Sequence, residues 1–344
     1  MTARNGEIND YHDENHLDQH SMKAIRYYRY GSADVLELED IARPVIGDGE
    51  VLVRVRAASL NPLDLYYLHG LPYIARVQVG LTRPKANGLG LDLAGTVEAV
   101  GSNVTRFRPG DDVFGGGSQT LAEYVSVRED GPIVHKPANL TFEQAAAVPV
   151  SALTALQALR DKAAARPGQK VLVNGAAGGV GPFAVQIARA LGTEVTGVCS
   201  TGNVDMVSSI GADNVVDYTQ EDFARSGKRY DALVDIAGNR TLSECRRVLT
   251  PAGVLVGVGA PNKGRWIGPM SRWIKMRAAA PFVRQTMTFF MAELKPDDLD
   301  VLQELLQSGK VTPVIDRTYG LSMVPEAIRY LETGHARGKV VITL

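Results

Sequence analysis

The residues of this chain best suited to chemistry are a run of glycines. Between Lys170 and Leu191 the sequence reads KVLVNGAAGGVGPFAVQIARAL. Its centre, Gly175-Ala176-Ala177-Gly178-Gly179-Val180-Gly181, carries the spacing Ala176-x-Gly178-x-x-Gly181, a six-position phosphate-binding pattern with alanine in the first glycine's place. Small residues let the backbone approach a pyrophosphate. The unpaired N–H groups of a following helix then offer it partial positive charge. A glycine turn alone could sit in any parallel α/β sheet, so the flanking elements decide its meaning. Val171-Leu172-Val173 reads as a buried parallel strand. Phe183, Ile187 and Leu191 recur at helical spacing, with Val180 and Ala184 beside them. Strand, turn and helix in that order form the phosphate-binding unit of a dinucleotide fold.

Such a unit needs a whole domain around it. At 344 residues the chain is too long for one ordinary core, and two domains are expected. Hydrophobic residues make up 45% and charged residues 22%, the balance of a globular protein. The net charge of −1 gives no reason to expect a nucleic acid partner. Two cysteines, Cys199 and Cys245, exclude a disulfide scaffold and a four-cysteine zinc site, and they suit a reducing cytoplasm. No apolar run reaches membrane-spanning length and no secretory leader is visible.

Residues 1–21 are polar and read as a disordered tail, in which His12, His16 and His20 recur every fourth position. A helix would bring those histidines onto one face, but nothing in the tail would stabilise a helix. From Met22 short alternating strands and glycine turns predict a β-rich unit over 22–145, with a short helix opening at Asn61-Pro62. Thr141, with Gln144 three residues on, predicts a capped helix, and Pro149 predicts its interruption. Residues 146–292 form the nucleotide unit, with strands at 170–174, 194–199, 214–217, 231–235 and 253–258 alternating with helices. Residues 293–344 return to the first unit and close with the strand GKVVITL. The fold class is therefore α/β, a doubly wound Rossmann domain inserted into a β-rich domain, with the active site in the cleft between them.

Several further segments stand in a particular order: SLNPLD at 59–64, GLDLAGTVEAVG at 90–101, RPGDDVFG at 108–115, AAAVPVSALTALQAL at 145–159, the glycine turn, and HARGKVV at 335–341. On these the chain from Met22 to Leu344 resembles the zinc-independent quinone oxidoreductase (zeta-crystallin-like) branch of the medium-chain dehydrogenase/reductase family. The resemblance implies a GroES-like catalytic domain beside the nucleotide domain, and a homodimer. In the zinc enzymes of that superfamily a cysteine and a His-Glu pair supply the metal site. Here those places hold Asn61 and Leu91-Asp92, and His69 with Asp92 alone could not complete a three-ligand site.

Without a Lewis acid a plain alcohol is hard to deprotonate, whereas hydride addition to a polarised acceptor is easier. The expected substrate is therefore a small lipophilic carbonyl compound, a quinone or an α,β-unsaturated carbonyl. By position in the NPLDLY segment the substrate wall is assigned to Asn61, Asp64 and Tyr66, with Tyr66 or solvent as proton donor. Asp92 reads as structural.

The strand at 194–199 ends in Cys199-Ser200-Thr201 with no carboxylate, which permits the 2′-phosphate of NADP. Ser200, Thr201 and Asn203 can donate hydrogen bonds to it, and Tyr218 matches a family tyrosine that approaches this phosphate. The positions where relatives carry a cation are Gly202, Asn203 and Ser208, so a neutral pocket is expected, with NADP preferred and NAD tolerated. Gly238, and Val258 with Gly259, end later strands near the cofactor. Thr154 lies on the entering helix, and Lys339 resembles a family lysine near the cofactor.

The stretch 262–292 carries Lys263, Arg265, Arg272, Lys275, Arg277 and Arg284, interleaved with both tryptophans and no acid before Glu293. It reads as a cap over the cleft or a dimer face. A weak contact of 263–291 with an anionic membrane surface is the competing reading. Two other functions compete with the reductase: an alcohol or aldehyde dehydrogenase, and a non-catalytic nucleotide-binding or membrane-associated protein. No Ser, His and Asp constellation suggests hydrolysis.

Overall fold

The computed structural model describes residues 20–259, 266, 268, 270–279 and 283–344. The readings of the tail over residues 1–19, and of Lys263 and Arg265, lie outside the described residues.

The amino-terminal strands β1 (Ser21–Arg26) and β2 (Glu37–Ala42) pair antiparallel. A seven-stranded sheet follows, built from β3 (Glu50–Leu60), β4 (Asp92–Val100), β5 (Asp112–Gly116), β6 (Tyr124–Arg128) and β7 (Ile133–His135). It is completed from the far end of the chain by β14 (Ile315–Gly320) and β15 (Lys339–Thr343). β3 shows why: its residues alternate between buried and outward positions until Ala57, after which they are buried throughout. There β15 joins it antiparallel, Val340 opposite Leu60 and Ile342 opposite Ala58. The end of the chain is thus laid beside residues 57–60.

The second sheet is six-stranded and parallel, in the order β10-β9-β8-β11-β12-β13. Its members are β8 (Lys170–Asn174), β9 (Glu194–Cys199), β10 (Asn214–Asp217), β11 (Tyr230–Asp235), β12 (Leu249–Gly257) and β13 (Thr286–Phe289). The run Val171–Asn174 is buried throughout, as a parallel strand covered on both faces must be. The five expected strands are present. The sixth, β13, was not anticipated: it lies inside the stretch 262–292, read as a cap over the cleft or a dimer face, and pairs with β12 through Leu255 opposite Met287.

Thr141 and Gln144 cap the helix Phe142–Ala146 reciprocally, and Pro149 opens a second helix, Pro149–Leu156. That second helix enters the nucleotide domain. Its Ala152 and Leu156 share one buried cluster with Phe114 of the first sheet and with Leu299, Leu302 and Leu306 of the helix Pro296–Gln307. The two domains are therefore joined by apolar packing next to the site. Among the described residues no helix is long and apolar enough to cross a membrane.

Candidate active site

Strand order reverses between β8 and β11, and ligands of open parallel sheets bind at such a reversal, beyond the carboxyl ends of the strands. The glycine turn leaves β8 at this point. Gly175 adopts φ 94°, a left-handed conformation that favours glycine. A Cβ on Gly181 would lie 2.2 Å from the Gly175 carbonyl oxygen, so glycine there permits the helix Gly181–Ala190 to pack on the strand. Gly178 differs: a Cβ there would meet only the Gly175 carbonyl oxygen, at 3.9 Å. Among the described residues nothing accepts the Gly179 N–H. An open face, a free donor and a helix N-terminus fit a pyrophosphate, and Gly178, Gly179, Val180 and Gly181 would hold it, whereas Ala176, expected among them, is fully buried and donates its N–H to the Val198 carbonyl.

Gly179 also faces the catalytic domain. A Cβ on it would meet Lys339 Cδ and Ser151 Oγ, each at 3.6 Å. The Lys339 side chain runs past the turn and ends in a buried polar cluster. Its Nζ donates to Asn61 Oδ1 at 2.7 Å and to Asp92 Oδ2 at 3.2 Å. Asn61 Nδ2 and Ser59 Oγ both donate to the same Asp92 oxygen, at 2.9 Å and 2.6 Å, while Asp92 Oδ1 accepts the Val150 N–H at 2.8 Å. Lys339 is 2% exposed and Asp92 fully buried. A buried ion pair of this kind survives because the carboxylate is fully hydrogen-bonded. Asp92 is thus structural, as expected, but its partners include one backbone amide at the entry of the nucleotide domain and three side chains. Lys339, expected beside the cofactor, reaches Asn61 as well.

Asp64 departs from expectation. It is fully buried, and its oxygens accept the Asn61 N–H at 2.7 Å and the Gly90 N–H at 3.0 Å. Each oxygen is committed to a backbone N–H and the side chain has no exposed surface, so Asp64 holds the turn before the helix Pro62–His69 and does not line a substrate wall. Burial pushes its carboxyl up to about 6, against the pull of those two amides. Tyr66, on the same helix, is half-buried, and loss of solvent raises its phenol above the usual tyrosine value, which keeps it protonated. His69 turns away: Nδ1 faces the Gly31 carbonyl at 2.8 Å and Nε2 faces Glu332 at 2.9 Å.

At the other end of the cleft, β9 runs into the 3₁₀ turn Thr201–Asn203. Asn203 Nδ2 donates to Ser200 Oγ at 2.9 Å, and the buried Asn203 Oδ1 has no partner. Tyr218 lies alongside, half-exposed, its N–H donating to the Cys199 carbonyl. Thr154 spends its hydroxyl on the Val150 carbonyl of its own helix, at 2.6 Å. Gly238 adopts φ 63° and donates its N–H to Asp235 Oδ1. Val258 and Gly259 both donate to the Asp235 carbonyl, and a Cβ on Gly259 would strike the Ile236 carbonyl oxygen at 2.0 Å. These three order the strand ends around Asp235, which Arg272 neutralises by an ion pair while also donating to the Gly238 and Arg240 carbonyls.

Sequence reasoning missed Ser59, Arg272 and Arg337. Ser59 precedes the NPLD turn by two residues and gave no signal of its own. Arg272 was taken only as one charge of a basic stretch. Arg337 lies far along the chain from the turn it approaches: a Cβ on Gly202 would be 3.3 Å from its Nη2.

Comparison with known proteins agrees with this geometry. Residues 47–138 match the alcohol dehydrogenase GroES-like domain, and residues 210–342 match a family described as zinc-binding dehydrogenase. The chain is 33% identical to a chloroplastic quinone oxidoreductase of Triphysaria versicolor, covering 93% of this chain and 98% of that one. It is 34% identical to a chloroplastic NADPH-dependent alkenal/one oxidoreductase of Arabidopsis thaliana, covering 93% and 79%. Among solved structures it superposes on the quinone oxidoreductase of Coxiella burnetii with a TM-score of 0.81, at 31% identity over 94% of this chain and 99% of that one.

Proposed function

The chain belongs to the medium-chain dehydrogenase/reductase family, in its quinone oxidoreductase branch, and from that premise we propose that it is an NADPH-dependent oxidoreductase reducing a quinone or an α,β-unsaturated carbonyl compound. The observation that carries the reading is the Lys339 ammonium, held between Asn61 and Asp92 and against Gly179 of the glycine turn.

A reduced nicotinamide cofactor, its pyrophosphate held at that turn, would supply a hydride. The chain's own residues prepare the acceptor. Asn61 accepts the Lys339 ammonium at its oxygen and gives one Nδ2 hydrogen to Asp92, which leaves the other for a substrate carbonyl oxygen. The cation on the amide oxygen draws electron density from the nitrogen and strengthens that remaining donor. Negative charge developing on the substrate oxygen is thereby stabilised by a donor fixed before the substrate arrives. The Tyr66 phenol, protonated like any tyrosine near neutral pH and held so more firmly by burial, completes the reduction by giving a proton that solvent replaces. We read the chemistry as zinc-free because an ammonium already sits between Asn61 and Asp92, where a metal ion would meet a like charge.

A panel of acceptors tests the reading. NADPH oxidation should proceed with one or more quinones or enones, should survive a metal chelator, and should be absent with simple aldehydes. Turnover confined to simple alcohols or aldehydes would contradict it.

A further inference from the structure

The turn after β9 carries no cation of its own, yet a guanidinium from the other domain lies over it. A Cβ placed on Gly202 would be 3.3 Å from Arg337 Nη2 and 3.9 Å from its Cζ. Arg337 belongs to the segment between the helix Val324–Glu332 and β15. Its side chain is exposed, and among the described residues the guanidinium pairs with no carboxylate. Its backbone is nonetheless fixed. The Arg337 N–H donates to Asp316 Oδ2 at 3.0 Å, an oxygen that also accepts the Tyr330 hydroxyl at 2.6 Å. On the other side, Gly338 takes φ 107° and the Lys339 N–H donates to the Val314 carbonyl at 2.9 Å.

An arginine on a fixed backbone with free donors, over a turn that ends a nucleotide-binding strand, has the chemistry of a phosphate receptor. We propose that Arg337 binds the 2′-phosphate of NADP across the domain junction, and that it sets the preference for NADP over NAD. The inference rests on the cofactor reading above and names the residue responsible for it. Gly202 has a part in this, because a side chain there would push the guanidinium away. Asp217, at the end of β10, is held below the usual aspartate range chiefly by the Thr201 hydroxyl, and its Oδ1 also accepts both the N–H and the hydroxyl of Thr219, so it stays ionised and a phosphate held at this turn needs the compensating charge of Arg337. The expected neutral pocket is thus cationic, through a residue 135 positions after Gly202 in a 344-residue chain (337 − 202).

Equilibrium binding of NADP+, NAD+ and the fragment 2′,5′-ADP, by calorimetry, separates the outcomes without any turnover. Arg337→Gln should weaken NADP+ and 2′,5′-ADP by about tenfold or more, the loss of a charged hydrogen-bonding partner, and leave NAD+ within about twofold. Arg337→Lys should recover part of the loss. Gly202→Asp, which sets a carboxylate against the guanidinium, should weaken NADP+ while sparing NAD+. Equal effects on both nucleotides, or none on NADP+, would overturn the proposal while leaving NADPH dependence standing. A wild-type protein that binds NAD+ as tightly as NADP+ would overturn the proposal and the cofactor reading together.

Discussion

Lys339 Nζ stands 2.7 Å from Asn61 Oδ1, although 278 positions of sequence separate the two residues. The antiparallel pairing of β15 with the end of β3 brings them together, Val340 opposite Leu60. Closing the first sheet with the last strand of the chain therefore assembles the candidate site.

Removing the ammonium should damage stability and activity by separable routes. Lys339→Met leaves the Asp92 carboxylate buried without its cation, which costs about 3–5 kcal/mol in comparable cases. Asp92→Asn in the same chain removes the stranded charge. The double variant should be more stable than Lys339→Met in denaturant unfolding, yet its kcat should stay low because Asn61 is still unpolarised. Recovery of kcat together with stability would show the pair to be structural only.

Two glycines of the turn should behave oppositely. Gly181→Ala places a methyl 2.2 Å from the Gly175 oxygen and 2.4 Å from the Ala176 carbonyl carbon, where only backbone could yield. It should lower stability by roughly 1–3 kcal/mol or prevent folding. Gly178→Ala faces open space, so its melting temperature should match the parent while NADP+ binding weakens. Melting curves with and without NADP+ distinguish the two.

Asp64 gives the fold a pH dependence of defined sign. Its carboxyl is pushed up to about 6 by burial, from an ordinary value of 3.8. The folded state then holds the proton more tightly than the unfolded chain, so this contribution is fully present below the unfolded pKa and is lost as pH rises through the folded one. The loss is on the order of 3 kcal/mol. Measured by denaturant at steps from about pH 4 to about pH 7, the stability of the wild type relative to Asp64→Asn should fall as pH rises. A difference constant across that window would remove the raised carboxyl from the account.

Tyr66→Phe should retain its fold, because no hydrogen bond of the Tyr66 hydroxyl is needed to complete the buried networks described above. Its kcat with enones should drop by about tenfold to a hundredfold, the range of a lost proton donor. Unchanged turnover on every active substrate would leave proton delivery to solvent.

The parts of the structure that were legible in the sequence are those set by local pattern. The buried run Val171–Asn174, the turn and the helix Gly181–Ala190 appear as read, because apolar periodicity and glycine demand act over a few residues. Pro149 and the Thr141–Gln144 cap mark helix starts for the same reason. β13 was hidden because Thr286–Phe289 is short and follows a basic stretch whose composition dominates the window. Asp64 was misread because a carboxylate one turn into a helix looks alike whether it caps backbone or faces a cleft. Only burial separates the two. Arg337 and Lys339 act on partners in the other unit or far along the chain, and no spacing rule connects them to Gly202 or Asn61.

The most direct measurement is a single turnover. Enzyme loaded with NADPH is mixed rapidly with a quinone or an enone, and the loss of nicotinamide absorbance is followed. The account predicts a decay whose rate saturates with acceptor and is much slower in Lys339→Met than in the wild type. No decay with any quinone or enone, alongside NADPH formation from NADP+ and a simple alcohol, would contradict it.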